Sequence, residues 1–157
     1  MESIRYCAPG HIFCRANKVL LAVDGSEGSA RAATVAFEIA EMTKSKVFII
    51  HVVPTSLVSQ FSLMSESNPE EVLDKYRTTG KKLLDGYVAP AAEYNLDIEL
   101  ILEEGSPSDK IMQIAKDKEV DLIVIGSQGM SRSYRAGVGS SAERVVLGSE
   151  APVLVVK

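Results

Sequence analysis

Along the chain, continuous apolar runs alternate with segments in which apolar residues recur every three or four positions. The runs fall at residues 18–23, 46–53, 121–125 and 151–156. Runs of this kind suit strands covered on both faces, as in a parallel sheet. Residues 97–103 alternate at first, as a strand nearer a sheet edge would. Between these strands, Ser26 caps a helix whose Ala30, Ala33, Phe37 and Ala40 share one face. Asn68-Pro69-Glu70-Glu71 is a strong helix start: a cap, a proline in the first turn and an acid three residues on. Val72, Tyr76, Leu83, Tyr87 and Ala91 continue that helix to about Tyr94, with Pro90 kinking it or ending its regular part. Ser106-Pro107 opens another helix, and a short one runs from Ser140 to a stop at Gly148. The serine-rich stretch 55–67 reads as a long loop of the kind that forms lids. Five strands alternating with four helices predict an α/β domain with a parallel sheet.

Composition narrows the function classes. At 157 residues the chain makes one domain with a full core, and its net charge of −4 argues against a nucleic-acid surface. No apolar run approaches the length of a membrane span, and the first residues lack the apolar centre of a signal peptide, so a cytoplasmic location is expected. Cys7 and Cys14 flank His11 in residues 1–16, which are expected to form a poorly ordered extension ahead of a domain at 17–157. Three candidate ligands are too few for a closed zinc site, and the two cysteines read as ordinary thiols.

The chemistry lies in Gly126-Ser127-Gln128-Gly129, followed after nine residues by Gly139-Ser140-Ser141. The order is strand, glycine loop, helix start. Glycines let the backbone turn and approach a ligand closely, while a helix beginning at Ser140 adds amides, hydroxyls and the positive end of its dipole. The reading is a phosphate cradle. Asp24 ends the first strand, where open α/β sheets place ligands, although it also suits a turn or cap. His51, near the end of the second strand, reads as a packed, hydrogen-bonded residue rather than a catalyst.

Gly126-x2-Gly129-x9-Gly139-Ser140 resembles the nucleotide-binding motif of the universal stress protein family. Val23-Asp24-Gly25-Ser26, His51-Val52 and the closing Ala151-Pro152-Val153-Leu154-Val155-Val156 are similar to the same family, so the resemblance covers residues 17–157. It implies a five-stranded parallel sheet of order 3-2-1-4-5 with helices on both faces, and it implies ATP as ligand, with Mg or Mn or with AMP in its place. Carried over by position, the binding set would be Ala22, Val23, Asp24, Val52, Gly126, Ser127, Gly129, Met130, Gly139, Ser140 and Ser141. Asp24 would meet the ribose or adenine side and the Val52 backbone the adenine edge, while Gly126 would lie against the ribose and phosphates. Gly129, Gly139, Ser140 and Ser141 would surround the phosphates. The resemblance also implies a homodimer through Val153, Leu154, Val155 and Val156. Against the pattern, the nine-residue spacer carries Arg132, Arg135 and an extra Gly137.

Rival readings fit less well. Gly137-Val138-Gly139-Ser140-Ser141-Ala142 matches a dinucleotide fingerprint, but it does not directly follow a first strand and the acid expected some twenty residues on has no place. Met130-Ser131-Arg132-Ser133 resembles the loop of adenylyl transferases, whose companion histidine signature is missing. No P-loop lysine or nucleophile elbow is present, and neither of the two histidines stands beside a nucleophile motif, so triad hydrolysis is unsupported. The sequence therefore favours a nucleotide-binding stress-response or regulatory protein over an enzyme, with slow ATP hydrolysis or adenylyl transfer as the alternative.

Overall fold

The computed structural model describes residues 16–129 and 137–157. Five strands form one parallel sheet in the order β3-β2-β1-β4-β5: β1 Lys18–Ala22, β2 Lys46–Pro54, β3 Ile98–Gly105, β4 Leu122–Gly126 and β5 Val153–Val156. The expected sheet order is found. From β1 the chain steps outward through β2 to β3, then crosses back to lay β4 on the other side of β1. Such a reversal leaves a crevice between β1 and β4 at the carboxyl edge, because the connections leaving these two strands go to opposite faces.

Side chains alternate across the sheet as the two-residue period requires. Val19, Leu21, Val23, Ile49 and Val124 pack against Ala32, Ala33, Ala36 and Phe37 of α1 Glu27–Thr43. Leu20, Ala22, Ile50, Ile123 and Ile125 pack on the other side, against Ile111 and Ala115 of α5 Pro107–Asp117 and Ala142 and Val145 of α6 Ser140–Gly148. Leu20, Leu21, Ile49, Ile123 and Val124 are fully buried. Each such side chain contributes about 1.5–3 kcal/mol relative to exposure, which makes the central strands the rigid base for whatever stands at their ends. The three alanines of α1 let its axis lie close to the sheet.

Two expectations are corrected. The stretch read as a loop is α2 Thr55–Ser65. It buries only Val58 and Ser62 and leaves Leu57, Phe61, Leu63 and Met64 exposed, so it shows no clear helical stripe. Its serines do not break it, because Ser59, Ser62 and Ser65 donate back to the carbonyls of Thr55, Val58 and Phe61, four residues earlier. The expected long helix is two: α3 Pro69–Asp85 and α4 Val88–Glu93. The break falls at Gly86, not at Pro90. Pro90 sits in the first turn of α4, where an amide has no intrahelical partner to lose. The expected capping at Ser26 and Asn68 is present: Ser26 Oγ accepts from the Ser29 amide at 3.1 Å and Asn68 Oδ1 from the Glu70 amide at 2.9 Å. Six helices thus stand among the described residues, where the sequence pattern predicts four. The extension with Cys7, His11 and Cys14 lies outside them, apart from Ala16, as do Met130, Arg132 and Arg135.

Candidate functional site

β1 ends at Ala22, one residue before the chain turns. The Val23 amide still donates to the Ile50 carbonyl at 2.9 Å. Asp24 Oδ1 then accepts from the Ser26 amide at 3.0 Å, forming an Asx turn that fixes the carboxylate at the strand end. Gly25, between them, has φ +85°, a conformation that side-chain-bearing residues avoid. Asp24 therefore stands at the carboxyl edge by construction of the local backbone.

The second wall comes from the end of β4. Ser127 donates its amide to Val156 O at 2.7 Å and accepts from the Gly139 amide at 2.6 Å, which ties the end of β4 to the start of α6. Gly139 is the N-cap of α6 and supplies no side-chain cap. Its carbonyl takes the Glu143 amide at 2.8 Å. The amides of Ser140, Ser141 and Ala142 have no intrahelical acceptor, as in the first turn of any helix. They point outward with the positive end of the dipole behind them.

Gly126, Gly129 and Gly139 are tightly enclosed by protein. A Cβ on Gly126 would lie 2.7 Å from the Gly28 carbonyl carbon and 3.0 Å from the Ser29 amide, so the start of α1 fills the space a side chain would need. On Gly129 it would meet Asp24 Oδ2 at 2.6 Å, and on Gly139 the Ser127 carbonyl at 3.3 Å. Neither Gly129 nor Gly139 has a positive φ, so close approach is the reason for glycine at both. These contacts bring Asp24, Gly129, Ser127 and the start of α6 together. Gly28 was not singled out by the sequence. Its Cβ would come 2.5 Å from the Gln128 carbonyl, which makes it part of the same junction.

The third wall is β2. It runs to Pro54, past the last β1 pair of Ala22 with Ile50. Val52 is buried by its side chain in the cluster under α5, beside the end of β1. His51 is packed and hydrogen-bonded as expected: its Nδ1 lies 2.8 Å from Val23 O. The carbonyl can only accept, so Nδ1 carries the proton. Tyr87, between α3 and α4, comes from the side of α1. Burial pushes its phenol up, with the charge of Asp24 adding to the rise and a hydrogen bond with Ser29 partly offsetting it.

The crevice is therefore polar in a graded way. A carboxylate, which accepts, stands at the end of β1, and outward amides with two serine hydroxyls stand at the start of α6. A ligand with hydroxyls at one end and an anionic group at the other matches this order. Among the described residues, no group of three or more His, Cys, Asp or Glu could hold a metal ion. No described helix is long and apolar enough to cross a membrane.

Comparison with known proteins agrees with this architecture. The sequence pattern of the Universal stress protein family matches residues 16–157. The chain is 34% identical over 146 residues to universal stress protein YxiE of Bacillus subtilis, covering 90% of this chain and 99% of that protein. Among solved structures it is similar to universal stress protein UspA from Lactobacillus plantarum, with a TM-score of 0.80 at 25% identity over 91% of this chain and 99% of that one. It is also similar to a universal stress protein in complex with cAMP, with a TM-score of 0.69 at 27% identity over 90% of this chain and 97% of that one. The chain belongs to the universal stress protein family.

Proposed function

We propose that this protein binds an adenine nucleotide, ATP in the first instance, as a stress-response regulator in the cytoplasm. The observation that carries the reading is the meeting of Asp24, Gly129 and the uncapped start of α6 at the switch point between β1 and β4. The cAMP complex of a similar protein supports the adenine class. In this reading the Asp24 carboxylate accepts from ribose hydroxyls, since a phosphate beside it would be repelled. Ser140, Ser141 and the first-turn amides of α6 receive the phosphates, with Gly126, Ser127 and Gly139 shaping the floor. The end of β1 at Ala22 and Val23 and the Val52 backbone face the base. Met130 would join the phosphate side, and it lies outside the described residues. A Mg or Mn ion would arrive bridged by phosphate oxygens, and tighter ATP binding in its presence is expected. Nucleotide released on denaturing the purified protein, identified by mass spectrometry and checked by calorimetry, tests the reading. Calorimetry without heat for ATP, ADP, AMP or cAMP would overturn it. Turnover of 1 per second or more, at the low end of typical enzyme rates, would replace binding by catalysis.

We further propose a homodimer paired through β5. The Ile123 amide donates to Pro152 O and the Ser127 amide to Val156 O, so even-numbered β5 residues face β4. Val153 and Val155 then present their backbone groups at the outer edge of the sheet, which no other described strand pairs. An aliphatic edge left open invites pairing, and antiparallel pairing with a second copy closes it under two-fold symmetry.

A further inference from the structure

The end of the β1–β2 ladder is made by a side chain. Lys46 donates its amide to Asn17 O, on the β1 side, and Val47 donates to Asp97 O, on the β3 side. Even-numbered residues of β2 therefore turn their backbone groups toward β1, and odd-numbered ones toward β3. The ladder continues regularly as far as the Val23 amide on Ile50 O. Its next bond would run from the Val52 amide to the Val23 carbonyl. That carbonyl instead takes the Nδ1–H of His51 at 2.8 Å, and the register ends at Ala22 with Ile50. Val52 is even-numbered, so its N–H and C=O face the crevice just past this point.

The ring is held in place from outside the sheet. Gly80 of α3 lies against it: a Cβ there would come 2.7 Å from His51 Cδ2 and 2.8 Å from Leu102 Cδ1. A glycine inside a helix costs about 1 kcal/mol relative to alanine, and here it admits the imidazole. α3 thus presses the ring onto the Val23 carbonyl, while β3 backs it through Leu102, the residue paired with His51 in the register.

We propose that His51 is a positioning residue for nucleotide recognition: by occupying the Val23 carbonyl it keeps the Val52 amide out of the sheet and available to the ligand's base. This rests on the nucleotide reading above. An amide and a carbonyl of one extended residue form a donor beside an acceptor. Adenine offers the complement, with ring N1 accepting and the exocyclic amine donating, whereas guanine reverses both. Without the imidazole, the Val23 carbonyl would take the Val52 amide, β1 would gain a ladder bond, and the base would lose its donor.

Two substitutions separate this role from packing. His51→Asn and His51→Leu remove the same outer part of the ring beside Gly80, but the asparagine amide can place an N–H where Nδ1 stands. Calorimetry with ATP, and with an ATP analogue carrying C–H in place of ring N1, reads both affinity and use of the Val52 amide. We expect wild type and His51→Asn to prefer ATP over the analogue. We expect His51→Leu to bind ATP roughly tenfold more weakly, the worth of one hydrogen bond, and to lose the preference. Wild-type binding with the preference intact in His51→Leu, or lost equally in both variants, overturns the positioning role alone. Wild type that binds none of ATP, ADP, AMP and cAMP overturns the nucleotide reading and this role together.

Discussion

Gly126→Ala tests how the end of β4 is built. The added Cβ would lie 2.7 and 2.8 Å from the carbonyl carbon and oxygen of Gly28 and 3.0 Å from the Ser29 amide. Favourable contacts between such atoms lie at about 3.5–4.0 Å, so α1 must retreat by something near 1 Å at its start. Nothing there can rotate away, because all three atoms are main chain of a helix that buries Ala32, Ala33, Ala36 and Phe37 against the sheet. Overpacking of this kind costs typically 1–3 kcal/mol, and the rigid neighbours put this case toward the upper end. Replacing glycine also stiffens the unfolded chain, which offsets about 0.4–1 kcal/mol. A net loss of about 2 kcal/mol corresponds to a fall in Tm of about 4–8 °C for a domain of this size. Urea unfolding should show the midpoint moved with an unchanged slope. Gly137→Ala is the control: it is exposed, nothing lies within 4 Å of its would-be Cβ, and its effect should stay within about 0.5 kcal/mol. A wild-type midpoint in Gly126→Ala, or an equal loss in Gly137→Ala, would refute the reasoning.

Ser140→Ala should weaken ATP binding by about 1–2 kcal/mol, the value of a hydroxyl bonded to a charged oxygen, with stability unchanged; calorimetry beside a thermal melt checks both halves. Arg77 holds Glu104 through Nε at 2.5 Å and Nη2 at 3.2 Å, tying α3 to β3, and this pairing keeps the Glu104 carboxyl below its ordinary range. A depressed folded pKa means stability that is present above the unfolded value near 4.5 and lost as pH falls through the folded one. Arg77→Ala should therefore lower the urea midpoint at pH 6 and narrow the gap to wild type by pH 3; a gap that widens on acidification would refute the pairing. Val155→Pro removes an outward-facing amide and spares the ladder to β4, so light scattering should report one chain where the wild type shows two. Leu154→Pro, which breaks the ladder itself, should instead unfold the protein.

The sheet was legible because parallel strands buried on both faces are written as unbroken apolar runs. Leu20, Leu21, Ile49 and Ile123 could sit nowhere else. Strand order came from the family resemblance, and right-handed crossovers alone leave several orders open. The missed helix, α2, was hidden because it buries one apolar side chain, Val58, and its serines satisfy themselves on its own carbonyls. The break between α3 and α4 was assigned to the wrong residue. A proline is disruptive in a helix interior and harmless in a first turn, and only the position of the break tells which applies.

The crevice was legible in outline, through glycines after a strand and serines at a helix start, but the reason for each glycine was not. Gly126 reads as a ligand-facing residue, and in the fold its missing side chain makes room for α1. Gly129 reads as room for phosphate, and its hydrogen faces Asp24. A glycine contributes an absence, and what fills that absence comes from an element distant in the sequence: residue 28 for Gly126, residue 24 for Gly129 and residue 51 for Gly80. Gly28 and Gly80 gave no signal because each lies inside a helical pattern where a small residue is merely tolerated. Yet these two admit Gln128 and His51, and so decide how closely α1 meets the loop and how firmly α3 presses the imidazole onto β1. The first-turn amides of α6 supply charge to the crevice, while the shape of its opposite wall is set by two helix glycines that touch no ligand in the proposed arrangement.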